Sequence, residues 1–304
     1  MHYNSFNGVI RDIQSIKIQG ATAVARATLE AYVRFGSNLK IKKSQNWKHE
    51  MKVAMAYLLQ HSRPTEPLTR NGLLFVWKRI NQQPSVFILK KSAQEFIKLL
   101  AQTQSRISLL GRAIIKSGDR IFTHCHSSTT EQLLIETHRK KKFHVYTSET
   151  RPLFQGRITA KALRAKGIPV TMIVDSAGPF LISHASGRDL MMDSVIIGAD
   201  AIMPDGSVLN KIGSFGLTLS ANVNHVPVYI VASLLKCVGQ IPVKIEKRPA
   251  KEVWAGAPAG LEILNFAFDK VPANQITYLV TEFGLIEPRQ VRQYAKKYYP
   301  WILQ

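Results

Sequence analysis

The sequence predicts an α/β protein in two parts: a helical N-terminal domain over residues 1–108, then a doubly wound, mostly parallel sheet domain over residues 109–304. Three observations carry that expectation. Apolar residues recur at helical spacing throughout the first part, with no strand pattern among them. From Ile114 onward, short β-branched runs alternate with helical stretches, the rhythm of βαβ units. Polar residues gather immediately after those runs, at the strand ends where open α/β sheets bind their ligands.

In the first part, Val9, Ile10, Ile13, Ile16 and Ile18 mark a short helical stretch that ends at the turn Gln19-Gly20-Ala21. Alanines at 23, 25, 27 and 31 favour a helix from Thr22 to Phe35 and let a neighbour approach closely. Further helices are expected over Asn46–His61, Leu74–Asn81 and Ser92–Ile115. Ser62-Arg63-Pro64-Thr65-Glu66-Pro67 interrupts them, because two prolines within four residues cannot continue a helix.

In the second part, strands are expected over Arg120–Thr123, Phe143–Ser148, Pro169–Val174, Ser194–Ile197, Val228–Val231 and Ile276–Thr281. Helices follow at about Glu131–Lys141, Ile158–Lys166 and Ser214–Asn224, and a hairpin turns at Pro204-Asp205-Gly206 within Ala201–Leu209. The alternation predicts a Rossmann-like sheet.

Composition narrows the setting. Of 304 residues, 45% are hydrophobic and 20% charged, which describes a globular chain. Two cysteines, Cys125 and Cys237, cannot build a disulfide framework and fit a reducing compartment. Met1 to Ser5 lack the charged start of a signal peptide, and no apolar run nears the roughly 18 residues of a membrane span. A cytoplasmic protein without membrane contact is expected. The formal charge of +21 fits anionic substrates, a nucleic-acid partner or a generally basic surface. The basic clusters do not interleave with aromatics, which favours the last of these over a single-strand binding groove.

The polar residues at the strand ends are Cys125 and Ser127, then Glu149, Arg151 and Gln155, then Asp175, Asp200, Asn210 with Lys211, and Glu282. Each alone has a plain structural explanation as a cap or turn residue. Their convergence on one sheet edge predicts a small-molecule pocket. The turn Thr123-His124-Cys125-His126-Ser127-Ser128 is its centre. The free amides at the start of the following helix suit phosphate, and a thiol there feels the same field. Cys125 could equally be a small apolar residue closing a strand. Arg151, Lys211, Ser127, Ser128 and Gln155 suit phosphate or sugar hydroxyls. His124 and His126 lack the further ligands that a zinc site needs, so no metal is expected. Without Gly-x-Gly-x-x-Gly or a phosphate loop, no nucleotide cofactor is expected either. A thiol and a carboxylate beside phosphate-binding groups point to proton transfer next to a sugar carbonyl.

The chain resembles the translation initiation factor 2B alpha/beta/delta family, which also contains sugar-phosphate isomerases. The motifs that carry the resemblance are Gln19-Gly20-Ala21, Arg63-Pro64-Thr65, Thr123 to Ser128, Glu149-Thr150-Arg151-Pro152 with Gln155-Gly156, Gly198-Ala199-Asp200, Asn210-Lys211-Ile212-Gly213, and Asn265 to Asp269. They span nearly the whole chain and look closest to the ribose-1,5-bisphosphate isomerases, more distantly to methylthioribose-1-phosphate isomerase. The resemblance implies an aldose–ketose isomerase of nucleotide salvage, with Cys125 and Asp200 as the catalytic pair. It implies Gln19, Gly20, Arg63, Ser127, Ser128, Arg151, Gln155, Asn210 and Lys211 as the substrate-binding set, with no metal or cofactor. Gln19 departs from the isomerase pattern, which has an arginine there. Ala232-Ser233-Leu234-Leu235-Lys236 departs too, where many relatives have a glutamate after the alanine. AMP as an activator and a homodimer or hexamer are further implications. The other branch of the family implies a different protein: a non-catalytic regulatory subunit that binds a nucleotide or sugar phosphate and contacts RNA or the translation machinery. The tail Tyr298-Tyr299-Pro300-Trp301 fits a subunit interface or the closing of the chain's own core.

Overall fold

The computed structural model describes residues 6–62, 66–239 and 245–303. They belong to two compact units: Met1–Gln102 with Leu235–Val243 and Ala295–Gln304, and Thr103–Leu234 with Lys244–Tyr294.

The first unit is helical, as its apolar spacing requires. Its elements are α1 (Asn7–Gln14), α2 (Ala21–Asn38), α3 (Ser44–His61), α4 (Pro67–Gln82) and the greater part of α5 (Val86–Leu110). Ala21, Val24, Ala25, Leu29 and Ala31 form the buried face of α2, and α4 packs against that helix. The Trp47 indole N–H donates to the Gly36 carbonyl at 2.9 Å and the Tyr32 hydroxyl to the Met51 carbonyl at 3.0 Å, pinning α2 to α3. α4 begins at Pro67, seven residues before the expected Leu74. The proline that stops one helix starts the next, because its missing N–H is surplus in a first turn. The chain's end closes this unit's own core: Tyr299 and Ile302 are buried, and the Trp301 ring meets Phe75 edge-on at 5.2 Å.

The second unit holds a seven-stranded sheet among the described residues, in the order β10-β9-β7-β4-β1-β2-β3. Its strands are β1 (Arg120–Thr123), β2 (His144–Ser148), β3 (Val170–Ile173), β4 (Ser194–Ile197), β7 (Val228–Val231), β9 (Tyr278–Thr281) and β10 (Gly284–Ile286). All neighbours pair in parallel except β10, which turns back antiparallel on β9. A small antiparallel sheet joins β5 (Ala201–Ile202), β6 (Val208–Lys211) and β8 (Phe268–Val271). The helices are α6 (Ser128–His138), α7 (Gln155–Arg164), α8 (Gly178–Ile182), α9 (Ser214–Val223) and α10 (Val291–Tyr298), whose last residues belong to the first unit. β4 is buried at every position, so it reads in sequence as a continuous apolar run rather than an alternating one. Ile121, Val145, Ile196, Val231 and Val280 meet Leu133 and Leu134 of α6 and Leu163 of α7 in one apolar cluster.

This is the doubly wound arrangement expected from the sequence. The chain leaves β1 toward β2 and β3 on one side, and β4, β7 and β9 lie on the other. The switch point is therefore the gap between the carboxyl ends of β1 and β4. Among the described residues, no helix is long and apolar enough to cross a membrane.

Candidate active site

Cys125 follows β1 and Asp200 follows β4, so the two residues stand at neighbouring strand ends on either side of the switch point. The backbones there come very close. A Cβ placed on Gly198 would lie 2.8 Å from both Cβ and Oγ of Ser127, so only glycine fits without moving the turn. Ser127 caps α6, its hydroxyl oxygen accepting the Thr130 N–H at 3.3 Å, and Ser128 opens the helix. The expected helix start at Glu131 is thus three residues late. Thr130 is buried beside this turn, and its hydroxyl has no hydrogen-bond partner among the described residues.

Cys125 is buried, takes no part in a disulfide, and holds the left-handed backbone conformation with φ of 65°. That conformation is uncommon for a residue with a side chain and needs support from its surroundings. Two threonines give it. The Cys125 N–H donates to Thr150 Oγ1 at 3.0 Å, and Thr159 Oγ1 donates to the Cys125 carbonyl at 2.8 Å. Thr150 is itself left-handed, with φ of 60°, and is held by Asp175. One Asp175 oxygen accepts the Thr150 N–H at 2.8 Å and the other the Arg151 N–H at 2.7 Å.

The two histidines flanking Cys125 have separate partners. His124 is buried, with Nδ1 2.7 Å from Ser148 Oγ and Nε2 2.9 Å from the Ile212 carbonyl. Burial pushes its pKa down, against the opposing pull of the Ile212 bond and the Asp175 charge. His126 Nδ1 lies 3.2 Å from Thr159 Oγ1 and 3.5 Å from Glu131. Burial raises the Glu131 pKa, and His126 counters it. Among the described residues, no group of three or more His, Cys, Asp or Glu side chains could hold a metal ion.

The expected convergence of polar residues divides into two sets. Glu149 pairs with Arg157 at 2.8 Å, Asp175 holds the Thr150–Arg151 turn, and Glu282 accepts Ser233 Oγ at 2.9 Å and the Leu234 N–H at 3.2 Å. These three carboxylates are committed to the fold. Asp200 is not: its backbone N–H pairs with Leu209, and its carboxylate has no partner among the described residues. Lys211, at the end of β6, is buried, with its Nζ 5.2 Å from the Phe268 ring centroid and no carboxylate beside it among the described residues. A buried ammonium in that state favours an anion. Asn210 donates from Nδ2 to Ser214 Oγ at 2.8 Å, which in turn donates to the Lys211 carbonyl at 2.7 Å.

Arg151 is exposed; its guanidinium lies 5.0 Å from the Phe154 ring and donates to the Val253 carbonyl at 2.9 Å. Gln155 is the first residue of α7, which starts hard against β2. A Cβ on Gly156 would fall within van der Waals radius of the Ser148 carbonyl, 1.8 Å from its oxygen. In the first unit, Gly20 precedes α2 with φ of 86°, and its carbonyl accepts the Val24 N–H at 3.0 Å; Gln19 beside it is half-buried. Arg63 lies outside the described residues.

Sequence reasoning passed over Thr159, Thr130 and Asp269. Asp269 Oδ2 accepts the Gly213 N–H at 2.7 Å and the Phe215 N–H at 3.1 Å, capping α9. Burial raises its pKa from 3.8 to about 6, with those two bonds opposing. Asp269 closes one of the motifs singled out above, which was the available signal. Thr159, inside α7, carries none.

Strand order and the residues at the strand ends together define a doubly wound α/β protein with a cysteine and an aspartate following the two strands beside one switch point. The chain belongs to the initiation factor 2 subunit family, which it matches over residues 17–288. It is 33% identical over 298 residues to the ribose 1,5-bisphosphate isomerase of Methanocaldococcus jannaschii, covering 95% of this chain and 94% of that one. It is 29% identical to the methylthioribose-1-phosphate isomerase of Desulforamulus reducens, covering 96% and 90%. Its fold matches a Pyrococcus horikoshii OT3 structure described as translation initiation factor eIF-2B, with a TM-score of 0.81 at 24% identity, over 94% of this chain and 98% of that one.

Proposed function

We propose that this protein is a sugar-phosphate isomerase that converts ribose 1,5-bisphosphate to ribulose 1,5-bisphosphate in cytoplasmic nucleotide salvage. The observation that carries the reading is the placement of Cys125 and Asp200 at adjoining strand ends, in a chain similar to a ribose 1,5-bisphosphate isomerase over nearly its full length.

The 1-phosphate prevents spontaneous ring opening, so the C1–O4 bond must be broken with help. Asp200 protonates O4 as that bond breaks, and the Cys125 thiolate removes the C2 proton, leaving a C1=C2 enol that still carries the 1-phosphate. Delivery of a proton to C1 and loss of the 2-hydroxyl proton then give the ketone. The threonine clamp on Cys125 supports this role, because proton transfer requires the base to be held within hydrogen-bond reach of the carbon acid. Lys211, Ser127 and Ser128 bind phosphate, with Arg151, Gln155 and Asn210 completing recognition of phosphates and hydroxyls. Exclusion of water protects the enol from losing phosphate. AMP acts as an activator, and the working assembly is a homodimer or hexamer.

Incubation with ribose 1,5-bisphosphate, with and without AMP, tests the reading by phosphorus NMR. Formation of ribulose 1,5-bisphosphate that is lost in Cys125→Ser is the expected result. Absence of product, with wild type and Cys125→Ser alike, would leave the family's regulatory branch as the better account.

A further inference from the structure

His124 is the one buried titratable side chain in the Cys125 turn that the proposed chemistry does not use. Its ring bonds show what it does. A carbonyl oxygen only accepts, so the 2.9 Å contact with Ile212 puts a proton on Nε2. In the neutral ring Nδ1 is then an acceptor, and the Ser148 hydroxyl donates to it at 2.7 Å. One imidazole therefore joins three strand ends: β1 through its own backbone, β2 through Ser148, and β6 through Ile212.

The neighbours on either side of those bonds are the proposed site residues. Cys125 follows His124 directly, and Lys211 precedes Ile212 directly. The far side of the Ile212 turn is fixed independently, with the Ile212 N–H on the Ala267 carbonyl at 3.0 Å and Gly213 and Phe215 on Asp269. The imidazole supplies the link from that turn to β1.

We infer that His124 is a positioning residue that couples the Cys125 turn to the Lys211 turn and so sets the spacing of the thiol and the ammonium across the crevice. Burial keeps its ring in the neutral form on which the donor–acceptor pattern depends. The inference rests on the isomerase reading for its kinetic consequence, but the coupling itself is measurable without turnover.

The test separates the two arms of the ring. Glutamine places an amide N–H near Nε2, retaining the Ile212 bond; asparagine places its amide near Nδ1, retaining only the Ser148 bond. His124→Asn is expected to raise KM for ribose 1,5-bisphosphate by about 10- to 100-fold, the range a 1 Å misplacement produces. His124→Gln should restore KM to within about fivefold of wild type. The measurement independent of activity is alkylation of Cys125 by iodoacetamide, mapped by mass spectrometry, with inorganic phosphate as protectant. His124→Asn should need correspondingly more phosphate for protection, and His124→Gln should not. Equal behaviour of the two variants in both measurements overturns the inference. If wild type alkylates and is protected but does not turn over, the isomerase reading fails while the coupling remains decided by the protection data. Should neither variant fold, Ser148→Ala leaves Nδ1 only the 3.4 Å contact with Thr150 Oγ1: a severalfold loss of protection is expected, and unchanged protection overturns the inference.

Discussion

Asp175 and Asp200 are the same residue type in the same topological place, each just past the carboxyl end of a parallel strand, and the fold partners them differently. Asp175 follows β3 at the edge of the sheet and spends both oxygens on backbone N–H groups of the Thr150–Arg151 turn. Asp200 follows β4 beside β1, at the switch point, and its carboxylate meets no protein group among the described residues. Strand-end position alone therefore does not identify a functional carboxylate. What separates them is whether the fold already satisfies the group, because a carboxylate engaged by two amides has little left to offer a substrate.

Asp200→Asn should break the comparison most visibly. Turnover of ribose 1,5-bisphosphate is expected to fall by about 10²- to 10⁴-fold, the usual range for a general acid. The thermal midpoint should stay close to wild type, since no protein contact is lost. A large fall in midpoint in a melting experiment would place Asp200 with Asp175 instead. Asp175→Ala should do the reverse, orphaning the Thr150 and Arg151 amides at a cost of about 3 kcal/mol, read as a lowered midpoint in urea. Activity of the folded fraction should fall through the loosened Thr150 and Arg151.

Asp269 sharpens the comparison from a third position, as a half-buried carboxylate that caps a helix at the cost of a raised pKa. Its pKa in the fold, about 6, stands above the ordinary 3.8, so the protonated form is the one the fold favours. The stability this contributes is complete below about pH 3.8 and is lost as pH rises through about 6. Asp269→Asn, which can still accept both amides, should match wild type near pH 4 and exceed it by about 2 kcal/mol at pH 7.5. Denaturation across that pH range checks it; a constant difference would contradict it. The smallest effect is expected from Thr150→Val, which removes the acceptor for the Cys125 amide and should cost about 1 kcal/mol. Thr150→Ser, which keeps the hydroxyl, should recover most of it, along with the wild-type rate of Cys125 alkylation.

Much of the architecture was legible because it is written in short-range patterns. β1, β4 and β7 lie where Arg120–Thr123, Ser194–Ile197 and Val228–Val231 place them, each a β-branched run bounded by polar or turn residues. The elements missed carry conflicting local signals. α8 begins Gly178-Pro179, which reads as a break; α10 buries only Val291 and Ala295; β8 interrupts its apolar ends with Asp269-Lys270; β10 is three residues long. The strand-end residues were legible as a group, but their division was not. Asp175 reaches Thr150 across 25 positions and His124 reaches Ile212 across 88, and such bonds exist only once the sheet has formed. Counting ligands likewise marked His124 as a failed metal ligand without showing the Ser148 and Ile212 oxygens that meet its ring.

The contact at Gly198 has a consequence for engineering the crevice. Because its missing side chain lets the end of β4 seat against Ser127, the chain carries a dimension that can be altered in graded steps without substituting Cys125 or Asp200. Alanine and then serine at 198 would wedge the two strand ends apart by increments, turning the width of the mouth into an adjustable parameter for bulkier phosphorylated sugars.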